Sequence, residues 1–173
     1  VPGERLDEFL HRWKESIPLQ VQIKCIEQLC SALHYAHCNK IYHRNLSPET
    51  VYIINGELIK IADFDFAKIV GRETISNPGE VLVDSQFTAP ELFYNPSSAS
   101  PASAIYSLGG IWFSLANLPN HMPFLGSKSV DSLKAPENVK QVIKKMTEKA
   151  PANRPQSIEK VQKYITELSG DSN

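Results

Sequence analysis

The 173-residue sequence has almost no net charge, no basic run, no continuous apolar stretch of bilayer length and only three cysteines. Eighteen Lys and Arg residues face nineteen Asp and Glu, a formal net charge of −1. A surface so balanced has no field to draw it onto a polyanion, so neither nucleic acid nor a membrane is an expected partner. Cys25, Cys30 and Cys38 are odd in number and lack the paired spacing of a zinc site. They read as buried free thiols of a reducing compartment. The first residues lead into an amphipathic segment and not into the apolar core of a signal peptide, so the expected location is cytoplasmic. Val1 stands where a complete chain would have Met, and the expectation is a piece cut from something longer. Internal repeats and low-complexity tracts are absent too.

What is present is the balance of a globular domain, 42% hydrophobic and 21% charged, and residues 1–173 read as one domain. Leu6, Phe9 and Trp13 recur at helical spacing up to a break at Pro18. From Leu19 to His37, Ile26, Leu29, Leu33 and Ala36 step by three or four, and Cys25, Cys30 and Ala32 widen the stripe into that of a mostly buried helix. The period then shortens to that of strands. Val51 to Ile54 and Leu58 to Ile61 flank Asn55-Gly56, the pair best suited to a type I′ turn because both central residues need positive φ. Residues 66–88 have no sustained period and read as a long loop. Ala102 to Leu118 is apolar almost all round and too short for a membrane span, hence a central core helix. Two amphipathic helices follow, carrying Val139, Val142, Ile143 and Met146, then Ile158, Val161, Tyr164, Ile165 and Leu168. Pro136 sits near the start of the first and Gly170 past the end of the second. The fold class is mainly α with one small β-hairpin, about residues 51–61.

Three segments carry chemistry. His43-Arg44-Asn45-Leu46-Ser47-Pro48-Glu49-Thr50-Val51 precedes the hairpin, Asp63-Phe64-Asp65 leaves its second strand, and Ala89-Pro90-Glu91 follows the long loop. In this order and at these intervals they resemble the catalytic loop, the metal-binding Asp-Phe-Gly triplet and the Ala-Pro-Glu triplet of protein kinases. Ser103 to Gly109 is similar to the start of that family's central helix, and Asn153-Arg154-Pro155 to the turn before its last helix. The resemblance implies a kinase-like C-terminal lobe, with no N-terminal lobe in this chain, and a partly buried ion pair between Arg154 and Glu91.

The departures from the family pattern bear on function. Where the resemblance implies a catalytic aspartate that accepts the substrate proton, Asn45 cannot take one. The position of a lysine that neutralises the transferred phosphoryl group holds Ser47, and that of an asparagine ligating a second magnesium holds Thr50. Asp63 alone remains as a metal ligand, a weak one by itself. Asp65 replaces a glycine, either holding a cation jointly with Asp63 or simply solvated. An aspartate anchoring the loop backbone is replaced by Ala104. The Gly-rich loop, strand lysine and partner glutamate of the smaller lobe are not in the sequence, so ATP and Mg²⁺ are conceivable cofactors only with an N-terminal lobe. Pro123-Phe124 resembles the Pro-Phe before the family's substrate-docking helix, yet about ten residues separate it from the next helix, so that element is expected to be shortened or absent.

Other signals have plainer readings. His43 reads as a core residue bracing the loop rather than as a ligand or base. Arg44 reads as a backbone hydrogen-bond donor, ahead of pairing with a phosphorylated Thr74, Ser76, Ser85 or Thr88. His37 and Cys38 read as helix-end packing, and Asn45-Leu46-Ser47 as an accidental glycosylation match. The leading expectation is a pseudokinase lobe, a signalling scaffold or allosteric module whose partners are an upstream lobe, neighbouring domains or another protein. The rivals are an atypical Ser/Thr protein kinase using Glu49 or Asp65 as base, and a nucleotide-binding lobe without transfer.

Overall fold

The computed structural model describes residues 2–71 and 86–170. In chain order the elements are β1 (Glu4–Arg5), α1 (Leu6–Arg12), α2 (Leu19–Cys38), β2 (Ile41–Tyr42), β3 (Val51–Ile54), β4 (Leu58–Ile61) and β5 (Lys68–Ile69). They continue with α3 (Pro90–Tyr94), α4 (Pro101–Ala116), α5 (Glu137–Met146) and α6 (Ile158–Gly170), with single 3-10 turns between several of them. The helices expected from apolar periodicity are all present. α3 was not expected, and Gly170 is the last residue of α6 rather than the residue beyond it.

α4 is the hub. Ser100 and Ser103 form a reciprocal capping box at its start, and Pro101 sits where its missing N–H costs nothing. Every residue from Ala102 to Phe113 is buried, as a helix apolar all round requires. α2 packs on one side of it and α5 on another, while α6 lies against α2. Two glycines permit the close approach: a Cβ on Gly109 would lie 2.9 Å from Met146 Cβ, and one on Gly110 2.8 Å from Phe87 Cδ1. Phe124, 1% exposed, closes this core against Phe87, Tyr106 and Phe113.

The hairpin forms as the Asn-Gly pair predicts, with φ of 52° at Asn55 and 76° at Gly56 and Glu57 N donating to Ile54 O at 3.1 Å. Its loop has one residue more than a two-residue turn, because Ile54 pairs with Leu58 and leaves Glu57 outside the ladder. Two further pairings were not anticipated from periodicity. β1 adds antiparallel to β3 as a third strand, and β2 pairs with β5. Two-residue strands are too short to show an alternating period. The second pairing shortens the expected loop over 66–88, since Phe64–Phe66 is a 3-10 turn and Lys68–Ile69 a strand. Residues 72–85 of that loop lie outside the described residues.

Between Phe124 and α5 the backbone makes one 3-10 turn, Val130–Ser132, and no α-helix, as expected for the docking-helix region. Cys25 and Cys30 are buried, but Cys38 is exposed, which corrects the expectation of three buried thiols. Cys38 is the last residue of α2 and has passed beyond the buried stripe.

Arg154 and Glu91 form the expected pair in bidentate geometry, with Nη1 to Oε1 at 2.8 Å and Nη2 to Oε2 at 2.9 Å. All five guanidinium N–H groups are used, because Arg154 also donates to the carbonyls of Ala102, Glu148 and Lys149. Ser103 Oγ donates to Glu91 Oε1 at 2.8 Å, and the Tyr106 ring lies 4.8 Å beneath the guanidinium. Burial alone would raise the Glu91 carboxyl, but the Arg154 and Ser103 hydrogen bonds and the Arg154 charge outweigh it and hold the group below its ordinary range.

Arg154→Ala strands Glu91 and three carbonyls in the interior and is expected to cost about 3–5 kcal/mol. Urea denaturation checks this, and Arg154→Lys, which keeps charge but not the fork, should recover only part of the loss. Acid should also destabilise the fold. Burial lowers the His37 imidazole to about 4 from an ordinary 6.5, so the unfolded chain binds more protons between those values. Stability therefore falls as pH drops from about 6.5 to about 4, by at most about 3 kcal/mol and less for a ring only partly buried. A pH series of thermal midpoints, flattened by His37→Gln, tests this.

Candidate functional site

The catalytic-loop segment is held from three sides before any ligand is considered. β2 pairs with β5 through Ile41 with Ile69 and Tyr42 with Lys68, tying the chain entering the loop to the chain leaving Asp63-Phe64-Asp65. His43, 1% exposed, sits between them. Its Nδ1 accepts the Asn45 amide at 3.3 Å, which leaves Nε2 as the protonated nitrogen donating to Ala62 O at 2.7 Å. Burial lowers its pKa, so the ring is the neutral brace expected of it and not a base facing substrate. Phe64 packs edge-on against it at 4.6 Å.

Arg44 takes φ of 64°, a left-handed conformation uncommon for a long side chain and held here by the contacts around it. Its Nε donates to Phe66 O, the backbone role the sequence favours. Of the hydroxyls considered as its phosphorylated partner, Thr88 is buried at 4% exposure, and Thr74, Ser76 and Ser85 lie outside the described residues.

Ser47 and Thr50 close the loop on itself. They bracket the 3-10 turn Pro48–Thr50 as a capping box, each side chain accepting from the other's backbone N–H. The Ser47 amide reaches Thr50 Oγ1 at 3.1 Å, and that hydroxyl faces Ser47 O at 3.1 Å and Asn45 O at 3.4 Å. Both residues are buried, Ser47 at 5% and Thr50 at 3% exposure. The backbone of Thr50 then accepts from the Ala62 amide at 2.8 Å, fixing the start of the Asp63 segment.

Asn45 and Ser47 line one cleft of about 640 Å³ together with Glu49, Asp7, His11 and His121. The sequence drew attention to the first three. Asp7, His11 and His121 come from α1 and from the turn after α4, and no local motif marks them. Asp63 has φ of 59° and is exposed, as is Asp65, and neither lines this cleft. Among the described residues no three metal-binding side chains converge. Thr50, expected at a cofactor position, has its hydroxyl spent within the loop. Asp63 remains exposed to solvent, where a phosphate-bound metal would have to reach it.

Ala104 borders a cavity of about 10 Å³ between the backbone of Tyr42 to Arg44 and α4, lined also by Ser103 and Ser107. That is room for about one water molecule, in the place where the kinase resemblance implies a carboxylate.

The comparisons with known proteins agree with this architecture. The family model described as "Protein kinase domain" matches residues 1–169. Serine/threonine-protein kinase PrkC of Bacillus subtilis is 30% identical over 181 residues, covering 95% of this chain and 27% of that protein. Serine/threonine-protein kinase PknA of Mycobacterium tuberculosis is 33% identical over 126 residues, covering 73% of this chain and 28% of its own. The chain thus spans about a quarter of the length of these relatives. No helix among the described residues is long and apolar enough to cross a membrane. With three motifs in family order around the family's hairpin, its buried arginine–glutamate pair and a family match over nearly the full length, the chain belongs to the protein kinase domain family.

Proposed function

We propose that this lobe is a pseudokinase module that binds partners, or neighbouring parts of its own protein, without transferring phosphate. The observation that carries this is the Ser47–Thr50 capping box. Phosphoryl transfer needs a cation on the moving phosphoryl group and a ligand on the metal, each aimed outward at the nucleotide. Here both positions hold short, buried hydroxyl side chains engaged by the loop's own backbone. Asn45 faces the cleft but cannot accept a proton at neutral pH. Losses within one network do not simply add, but together they remove base, cation and second metal ligand.

Glu49 supports a second reading. It is an exposed carboxylate lining the same cleft as Asn45, the one described residue beside Asn45 in the loop able to act as a base in an atypical Ser/Thr kinase. Nucleotide binding without transfer is a third reading, and it requires the smaller lobe, since among the described residues Asp63 is the one carboxylate that the resemblance directs toward ATP and Mg²⁺.

A phosphotransfer assay on the full-length protein, with Mg²⁺ and with Mn²⁺, should show no turnover above background. Asn45→Asp alone should not restore it, because the cation and metal ligand stay missing. Robust activity abolished by Asp63→Ala would overturn the proposal, and loss of that activity in Glu49→Gln would establish the atypical base. Binding is read separately by thermal shift. A ligand present at 100 times its Kd adds about 2.7 kcal/mol to apparent stability, so an unmoved midpoint at millimolar ATP and Mg²⁺ identifies a module that does not depend on nucleotide.

A further inference from the structure

The exposed end of α2 carries a second constellation, remote in role from the catalytic loop. His34 stands one helical turn before Cys38, so their side chains share a face. Nε2 of His34 lies 3.5 Å from Cys38 Sγ, and its Nδ1 lies 3.2 Å from Glu159 Oε1, which projects from the first turn of α6. The three groups are arranged in line through the imidazole: carboxylate, ring, thiol. Such a line is not a metal cage, in keeping with the lack of any converging metal-binding group among the described residues. It is the order in which a nucleophile, its base and the group orienting that base occur. With Glu159 accepting Nδ1–H, the Nε2 lone pair is left facing the thiol.

Access separates this cysteine from the others. Cys38 is exposed, and the His34 and Glu159 side chains retain 41% and 56% of their surface to solvent, so a small reagent can reach the sulfur. Cys25 and Cys30 lie on the inner face of the same helix, where burial pushes both thiols up to about 12. They are built-in unreactive controls. The carbonyl end of α2 gives no help to an anion, so activation falls to the imidazole. His37, in the same helical turn, is near enough to feel the charges of Glu159 and His34.

We infer that Cys38, activated by His34 with Glu159 orienting the ring, is a thiol-modification site that takes low-molecular-weight disulfides. Cys38 passes its proton to Nε2 of His34. The thiolate attacks one sulfur of R–S–S–R, the S–S bond breaks, and Cys38–S–S–R forms. The leaving R–S⁻ takes the proton from the imidazolium. The small disulfide is the oxidant, and one of its sulfurs leaves reduced as the thiol. This inference does not rest on the absence of phosphotransfer and holds for an active or an inactive lobe.

The test uses native protein with all three cysteines and the chromogenic aromatic disulfide 5,5′-dithiobis(2-nitrobenzoate). One thiol per chain should react fast, and peptide mass mapping should place the adduct on Cys38. His34→Gln should slow that reaction severalfold at neutral pH, because it removes the base that faces the thiol. Glu159→Gln should slow it less. The pH-rate profile of the parent should differ in shape from that of His34→Gln, a difference that a merely structural role for the ring would not produce. Glu159 is the charged group in contact with His34, so Glu159→Gln should alter the profile as well. Oxidised glutathione should give the same mapped adduct more slowly. A variant that only loosened the fold would instead expose Cys25 and Cys30, which the mapping detects. A His34→Gln rate equal to the parent's, or a fast adduct on either buried cysteine, overturns the inference.

Discussion

The guanidinium of Arg154 is the constraint on which the rest of the lobe depends. It is 3% exposed, and a charge taken so far from water survives only if every donor finds an acceptor and the charge finds a partner. Five acceptor contacts from three parts of the chain satisfy it: the Glu91 carboxylate on α3, the Ala102 carbonyl on α4, and the Glu148 and Lys149 carbonyls before α6. Those segments are scattered in sequence, and none can shift without breaking a charge-assisted bond. Its position also orders the neighbours, since Ser103 is drawn to Glu91 while serving the α4 capping box.

This network and the cleft share almost no side chains. The pair and its supports lie beneath α3 and α4, while Asn45, Ser47 and Glu49 line a surface formed by α1, the loop and the turn after α4. The fold can be kept intact while the loop's chemistry changes. Fold membership therefore carries little information about transfer in this chain. The information lies in which atoms the loop side chains address: the nucleotide, or the loop itself.

The sequence revealed most of the helices because their apolar faces are long enough to show a period, and it revealed the hairpin because Asn55-Gly56 has few other uses. β1, β2 and β5 were not legible, since two residues cannot display alternation and their pairing is decided by partners far along the chain. Asn45, Ser47, Thr50 and Asp63 were singled out by analogy, and of these Asn45 and Ser47 line the cleft. What the analogy did not reveal was where the replacements point. The mutual cap of Ser47 and Thr50 depends on a 3-10 turn whose start at Pro48 is only hinted at locally. The cleft partners Asp7, His11 and His121 are contributed by separate elements, and Cys38 was expected to be packed because its helix is, although it lies at the end where the buried stripe runs out.

The Ser47–Thr50 box has a consequence for how such a sequence can change. A hydroxyl cap of this kind contributes about 1 kcal/mol relative to a residue that cannot cap, so each of the two substitutions becomes more valuable once the other is present. Replacing either residue by a lysine or an asparagine would lose the cap and leave a loop amide or hydroxyl short of its partner. The cap thus gives the loop a local stability that is independent of the chemistry the loop performs.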